Sequence, residues 1–192
     1  MLNLLMHLSG VATATDRAVR RAGPLRVRGT RKTLPGLRDL EKAAIRHGGG
    51  EPNRRDLADG LLLKNNHLAF VPMATAVARL RERAGGLGPL QVEVRSLLEA
   101  EAALDAGARH LLLDNFSPAA ARRTIARLRA RPDGATAEIE LSGGITPGNI
   151  RRYARSGADA ASLGWISHSA PALPFHLRIA AARAPRRGRP PR

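Results

Sequence analysis

Six times along this chain a short apolar run gives way to a polar or glycine-rich turn and then to a helical stretch, and that alternation restricts the fold more than any other feature. The apolar runs fall at residues 25–28, 61–63, 90–94, 110–113, 137–141 and 159–163. Helical spacing follows at 37–46, 74–83, 97–106, 118–131 and 146–156, with a short segment after the sixth run. A helix to about residue 21 precedes them, carried by Leu2, Leu4, Leu5, Leu8 and Val11 at three- and four-residue intervals. The runs read as continuous apolar strands with no two-residue alternation, the pattern of a parallel sheet buried on both faces. Six βα units predict an incomplete parallel α/β barrel, TIM-like in plan. A doubly wound sheet uses the same units, and the sequence pattern does not choose closure over an open sheet.

A chain of 192 residues, 43% of them hydrophobic, is sized for one domain with a substantial core. Residues 1–183 are assigned to the barrel. The tail at 184–192, rich in Pro and Arg, has nothing to bury and is predicted to be disordered. There is no cysteine, which excludes disulfides, zinc-thiolate sites and thiol nucleophiles. The first residues lack a basic leader and no apolar run approaches the roughly 20 residues of a bilayer span, so a cytoplasmic protein is expected. Of the 32 basic residues only Lys32, Lys42 and Lys64 are lysines. That bias fits a GC-rich genome, so the net charge of +16 favours anionic ligands without specifying nucleic acid. With only five aromatic side chains for base stacking, nucleic acid is ranked last among partners.

The chemistry-bearing residues collect at the C-terminal ends of the predicted strands, where parallel barrels carry their sites. The organising stretch is the turn from Gly29 to Arg38, which sets Arg31 and Lys32 between the first strand and its helix. After it come Lys64, Glu93, Asp114, the Ser142-Gly143-Gly144 turn, and Gly164 with His168 and Ser169. Singly, each has a plainer reading: Lys64 as a snorkelling strand end, Glu93 as a partner for an Arg, Asp114 and Asn115 as a cap on the helix at Ser117-Pro118. Together they divide by charge. Ser142-Gly143-Gly144 leads toward Thr146 and Pro147, where a helix start would turn N–H groups toward a phosphate, and Gly164 can complete that site. Glu93 and Asp114, on adjacent strand ends, can share a hard divalent cation such as Mg²⁺. Arg31, Lys32, Arg54 and Lys64 suit carboxylates or a second phosphate. A phosphorylated sugar and a carboxylate are the substrates this set implies.

On these residues the chain resembles quinolinate phosphoribosyltransferases, the carboxylating nicotinate-nucleotide pyrophosphorylases. The matching stretches are Leu2-Asn3-Leu4-Leu5 with Leu8 to Thr13, Thr30-Arg31-Lys32-Thr33 with Pro35 to Arg38, and Gly48-Gly49-Gly50. Lys64 with Asn66-His67, Val92-Glu93-Val94, Leu112 to Asn115, Ser142-Gly143-Gly144 and His168-Ser169 complete them in order. The resemblance implies an incomplete α/β barrel. It also implies transfer of ribose 5-phosphate from phosphoribosyl pyrophosphate to quinolinate, with decarboxylation to nicotinate mononucleotide and Mg²⁺ as cofactor. By the same resemblance Arg31, Lys32, Arg54 and Lys64 surround the quinolinate carboxylates and nearby phosphates, Glu93 and Asp114 serve the ribose and Mg²⁺, and Ser142-Gly143-Gly144 with Gly164 and His168 hold the 5-phosphate. Lys32, Lys64, Glu93 and Asp114 form the implied catalytic set, in a homodimer or higher oligomer.

Where this chain has Asn53, Asn65 and Arg95, the family pattern has histidine, aspartate and aspartate, and an N-terminal domain precedes the barrel. The apolar residues Leu173, Phe175, Leu177 and Ile179 are therefore expected to be exposed, favouring aggregation or a different dimer. A second reading is a truncated or degenerate barrel that binds phosphosugars, or a full-length partner subunit, without turnover.

Overall fold

The computed structural model describes residues 1–83 and 88–179; the predicted tail at 184–192 and part of the turn at 85–89 lie outside the described residues. The chain opens with helix α1 (Leu2–Ala22), which buries Val11, Ala14, Ala18 and Ala22 along one stripe. Strand β1 (Arg26–Arg28), helix α2 (Arg38–His47), strand β2 (Leu61–Leu63) and the one-turn helix α3 (Asn65–Leu68) follow. Next come helix α4 (Met73–Arg83), strand β3 (Leu90–Val94), helix α5 (Leu97–Asp105), strand β4 (His110–Asp114), helix α6 (Pro118–Arg129) and the short α7 (Pro132–Ala135). Strand β5 (Glu138–Ser142), a 3₁₀ turn at Ile150–Arg152, strand β6 (Ala160–Ser162) and the short α8 (Trp165–His168) complete the order. Two helix starts are fixed by their caps. Ser96 accepts from the Glu99 N–H and Ser117 from the Ala120 N–H, the latter with Pro118 in the first turn. Each such cap contributes about 1 kcal/mol. Asp114 and Asn115 therefore have no capping duty at α6.

The six strands of the described residues are all parallel, in the order β1-β6-β5-β4-β3-β2. A doubly wound sheet would place β1 in the interior; here β1 and β2, consecutive in the chain, lie at opposite edges. That is the circular order of a barrel opened along one seam. Arg28 of β1, Leu61 of β2, Gln91 of β3 and Glu140 of β5 line one cavity of about 360 Å³, so the sheet curls around it. The incomplete barrel is the architecture.

The helix-facing side of the sheet holds the core. Val27, Leu63, Val92, Val94, Leu111, Leu113, Ile139, Leu141, Ala161 and Leu163 are all buried there, and full burial of each large aliphatic is worth about 1.5–3 kcal/mol. The opposite, inner face corrects the expectation of strands without alternation. Arg26 and Arg28 flank Val27, Gln91 and Glu93 flank Val92, and Glu138 and Glu140 flank Ile139. Every second residue of these strands turns a polar group into the lumen, as the two-residue period of a strand requires.

The predicted helix at 146–156 is also corrected: three residues of 3₁₀ helix stand in its place. Ile150, Tyr153 and Ser156 are buried at intervals of three, the period of a 3₁₀ rather than an α-helix. Asn149 holds the entry, accepting from the Thr146 N–H at 2.9 Å and donating to the Gly144 carbonyl at 2.9 Å.

Near the chain's far end, Ala170 to Leu173 runs along α1. The Leu173 N–H donates to the Met6 carbonyl at 3.0 Å, and Gly10 is packed so closely that a Cβ there would stand 2.1 Å from the Pro171 oxygen. Beyond it Phe175, Leu177 and Ile179 are exposed as expected, while Leu173 is half-buried.

Candidate active site

Strand register aligns the predicted residues at one end of the sheet. Leu63 pairs with Val92, so Lys64 and Glu93, each one residue on, share a level on the lumen side. Asp114 pairs with Ser142, and the Ser142 hydroxyl donates to Asp114 Oδ1 at 2.8 Å. The carboxylate's other oxygen accepts from Asn115 Nδ2 at 2.8 Å, with Asn115 in the left-handed conformation at φ 61°.

Because β1 pairs with β6, the basic turn after β1 meets the last βα loop. The Ser167 hydroxyl donates to the Lys32 carbonyl at 2.8 Å, and a Cβ on Gly164 would lie 3.0 Å from His168 Nε2 and 3.4 Å from Lys32 Cδ. Lys32, Gly164 and His168 thus form one group, with the His168 ring steadied by Ser169 Oγ at 2.7 Å. Gly143 and Gly144 both take positive φ, 88° and 62°, which only glycine adopts in succession at little cost. Open space lies over Gly144, where an added Cβ would meet nothing within 4 Å. With no α-helix after this turn, no helix dipole is aimed at an anion here; backbone groups and the nearby cations remain.

The second basic pair lies beside Asn53. That residue adopts φ 54°, a conformation asparagine tolerates, and its Oδ1 accepts from the Arg54 N–H at 2.8 Å, which fixes the main chain at Arg54. Burial first, and then the charge of Arg31, push the Arg54 guanidinium below the ordinary arginine value. Arg31 Nε is buried without a hydrogen-bond partner among the described residues. Among those residues no carboxylate lies within 4 Å of Arg31, Lys32, Arg54 or Lys64, whereas Arg28, Arg55 and Arg131 are each paired. Two crowded guanidiniums with an orphan buried donor make a place that an anion stabilises, because it supplies both countercharge and acceptor. Lys64 is exposed at the end of β2; its N–H donates to His67 Nδ1, which anchors the strand end.

The lumen beneath holds charges that sequence reasoning did not single out. Glu140, 1% exposed, accepts from Arg28 at 2.7 Å and from Gln91 at 3.0 Å, and its other oxygen accepts from Ser162. Burial opposes the charge on Arg28, but its hydrogen bonds to Glu51 and Glu140 outweigh that and raise its pKa. Glu138 bonds Arg26 and Arg28 at 2.7 and 2.6 Å. Arg28, Glu51, Gln91, Glu138 and Glu140 line the 360 Å³ cavity, which Arg54 alone of the predicted site residues reaches; it is the charged floor under the site. The signal was present as the alternation in Arg26-Val27-Arg28, Leu90 to Val94 and Glu138 to Ser142.

Glu93 and Asp114 supply two carboxylates, and among the described residues no group of three or more His, Cys, Asp or Glu is arranged to hold a metal. A hard cation that prefers six oxygens would take the remainder from a substrate or water. Arg95 continues β3 beyond Glu93 and places its Nε 3.8 Å from Asp114 Oδ2. No described helix is long and apolar enough to cross a membrane.

This geometry has relatives. The chain is 41% identical to a probable carboxylating nicotinate-nucleotide pyrophosphorylase of Archaeoglobus fulgidus, over 93% of this chain and 70% of that protein. It is 40% identical to the nicotinate-nucleotide pyrophosphorylase of Rattus norvegicus, over 93% of this chain and 60% of that one. The crystal structure of NadC from Streptococcus pyogenes superposes with a TM-score of 0.84 at 38% identity, covering 92% of this chain and 61% of that one. The chain therefore spans 60 to 70% of the length of these relatives. The profile described as "Quinolinate phosphoribosyl transferase, C-terminal domain" matches residues 11–178, and the chain belongs to that family.

Proposed function

We propose that this barrel is the catalytic part of a carboxylating nicotinate-nucleotide pyrophosphorylase. In this reading the quinolinate nitrogen attacks C1 of the ribose of phosphoribosyl pyrophosphate and the bond from C1 to the diphosphate oxygen breaks. The carboxylate next to the ring nitrogen then leaves as CO₂, and the ring carbon that bore it keeps the bonding pair and takes a proton from water. Nicotinate mononucleotide, pyrophosphate and CO₂ are the products. The observation that carries the reading is the crowded pair Arg31 and Arg54, with its orphan buried Nε, set among cations that have no carboxylate partner within 4 Å among the described residues.

Arg31, Arg54 and Lys64 are assigned to the two quinolinate carboxylates. Lys32, His168, Gly164 and the Ser142-Gly143-Gly144 turn are assigned to the 5-phosphate, a grouping supported by the contact of Lys32 with Gly164. Glu93 and Asp114 would stabilise the positive charge that develops on the ribose as the diphosphate departs. They would also be the carboxylates facing a Mg²⁺ brought in by the donor, although the described residues offer too few ligands to hold that ion alone. A cation-lined pocket favours decarboxylation by holding the ring nitrogen's positive charge away from water beside the departing carboxylate. Assembly with a second copy belongs to this reading; exposed Phe175, Leu177 and Ile179 offer apolar surface for it.

The test is formation of nicotinate mononucleotide from quinolinate and phosphoribosyl pyrophosphate by the purified chain. The expected result is turnover that falls at least about 100-fold in Asp114→Ala, the scale for a lost charge-stabilising group. A second reading, binding of the phosphosugar without turnover, is favoured by the cation Arg95 beside Asp114. Donor binding with no product would select it.

A further inference from the structure

We propose that Arg95 is a diphosphate-binding residue of this site, supplying from the protein positive charge that would otherwise come entirely from a divalent cation. The inference rests on the reading above as a phosphoribosyl-transfer site. In β3 the buried Val92 and Val94 face the helices, so Gln91, Glu93 and Arg95 share the lumen side. Val94 pairs with Leu113 in the last rung; just beyond it Arg95 lies near Asp114, which pairs with Ser142. One cation therefore ends the row of acidic and hydroxyl groups at the mouth of the lumen.

Arg95 is well placed to change partner. Its Nε stands 3.8 Å from Asp114 Oδ2, outside hydrogen-bond range, and its side chain is 58% exposed. A pair of that kind contributes little by itself, so a better anion displaces it at small cost. The main chain, by contrast, is fixed: the Arg95 N–H donates to Glu99 Oε2 at 2.7 Å and Ser96 caps α5. That bond also engages one oxygen of the Glu99 carboxylate. The fork of guanidinium N–H groups is left on a fixed stem at the rim, with geometry suited to two phosphate oxygens.

The same arrangement disfavours a metal held by the protein. Both Asp114 oxygens already accept hydrogen bonds, and a guanidinium close by repels a divalent cation. A diphosphate here would meet Arg95 whether or not it carried Mg²⁺.

The test is calorimetric binding of phosphoribosyl pyrophosphate and of inorganic pyrophosphate to the 192-residue chain, in chelator and in Mg²⁺. Wild type, Arg95→Ala and Arg95→Lys are compared. The expected result is that wild type binds both ligands in chelator and that Arg95→Ala weakens this at least about 10-fold. Arg95→Lys should fall between them, and Mg²⁺ should narrow the gaps. A donor bound only with Mg²⁺, with Arg95→Ala like wild type, overturns this inference and leaves the proposed function standing. Binding of neither ligand under either condition overturns both. Equal affinity of wild type and Arg95→Ala in chelator also overturns it.

Discussion

The buried hydroxyl of Ser167 donates to the backbone carbonyls of Lys32 at 2.8 Å and of Gly164 at 3.0 Å, joining the first and last βα loops of the barrel. That bond crosses the junction of β1 and β6 and sets the position from which Lys32 reaches the space beside Gly164. Ser167→Ala should therefore cost about 1 kcal/mol in denaturant unfolding and weaken phosphoribosyl pyrophosphate binding several-fold. Lost stability with unchanged binding would make the contact purely structural.

Arg31 and Arg54 are predicted to trade stability for binding. Burial and mutual repulsion disfavour the charge on Arg54 in the free protein, so Arg54→Gln should leave the ligand-free chain as stable as wild type or more so. Quinolinate affinity should fall at least about 10-fold in the same variant, through the lost charge-assisted bonds. Unfolding midpoints and calorimetry read the two effects separately.

Glu140 sits beneath the site with Arg28, Gln91 and Ser162 as partners. Glu140→Ala should destabilise the chain by about 3 kcal/mol, because it strips a partner from the largely buried Arg28. Glu140→Gln should cost less, since its carbonyl still accepts from Arg28. Equal unfolding midpoints for wild type and Glu140→Ala would count against a structural floor.

Gly10 is expected to be intolerant of any side chain. Its Cβ would fall 2.1 Å from the Pro171 carbonyl oxygen, and backbone on both sides leaves little room to yield. Gly10→Ala should cost about 1–3 kcal/mol and speed proteolysis between Ala170 and Leu173, the segment seated on α1.

Lys42 gives a pH signature. Its ammonium is buried, 4% exposed, and donates to the Pro52 and Asn53 carbonyls beside Arg54. Burial first, and then the charges of Arg38, Arg46 and Arg54, push its pKa down from 10.5 to about 8. Between those values the unfolded chain binds more protons than the folded one, so stability should rise from pH 8 to 10.5. Below pH 8 the cost of holding the charge is constant. Lys42→Met should flatten the rise in urea midpoints over that window.

How much of this could be read from the chain follows from the range of each interaction. The βα order, the strand ends and the candidates Arg31, Lys32, Lys64, Glu93 and Asp114 are local properties, set by apolar periodicity and by the turn that ends each strand. The lumen charges Glu138 and Glu140 were legible too, since a two-residue period puts alternate side chains on opposite faces; reading the runs as continuous hid them. The segment after Ser142-Gly143-Gly144 carries helix-forming residues, yet burial of Ile150, Tyr153 and Ser156 at intervals of three selects a 3₁₀ turn.

Apolar periodicity and turn residues along the chain are enough for six parallel βα units with their polar groups at one end. Tertiary structure decided where the sheet opens, by pairing β1 with β6 and leaving β1 and β2 at opposite edges. It also brought Lys32 to Gly164, Arg54 to Arg31 and Arg95 to Asp114. Those pairings depend on strand register and on the curl of the sheet, which no local pattern encodes: register shifts by two residues keep every side chain on the same face while changing every partner.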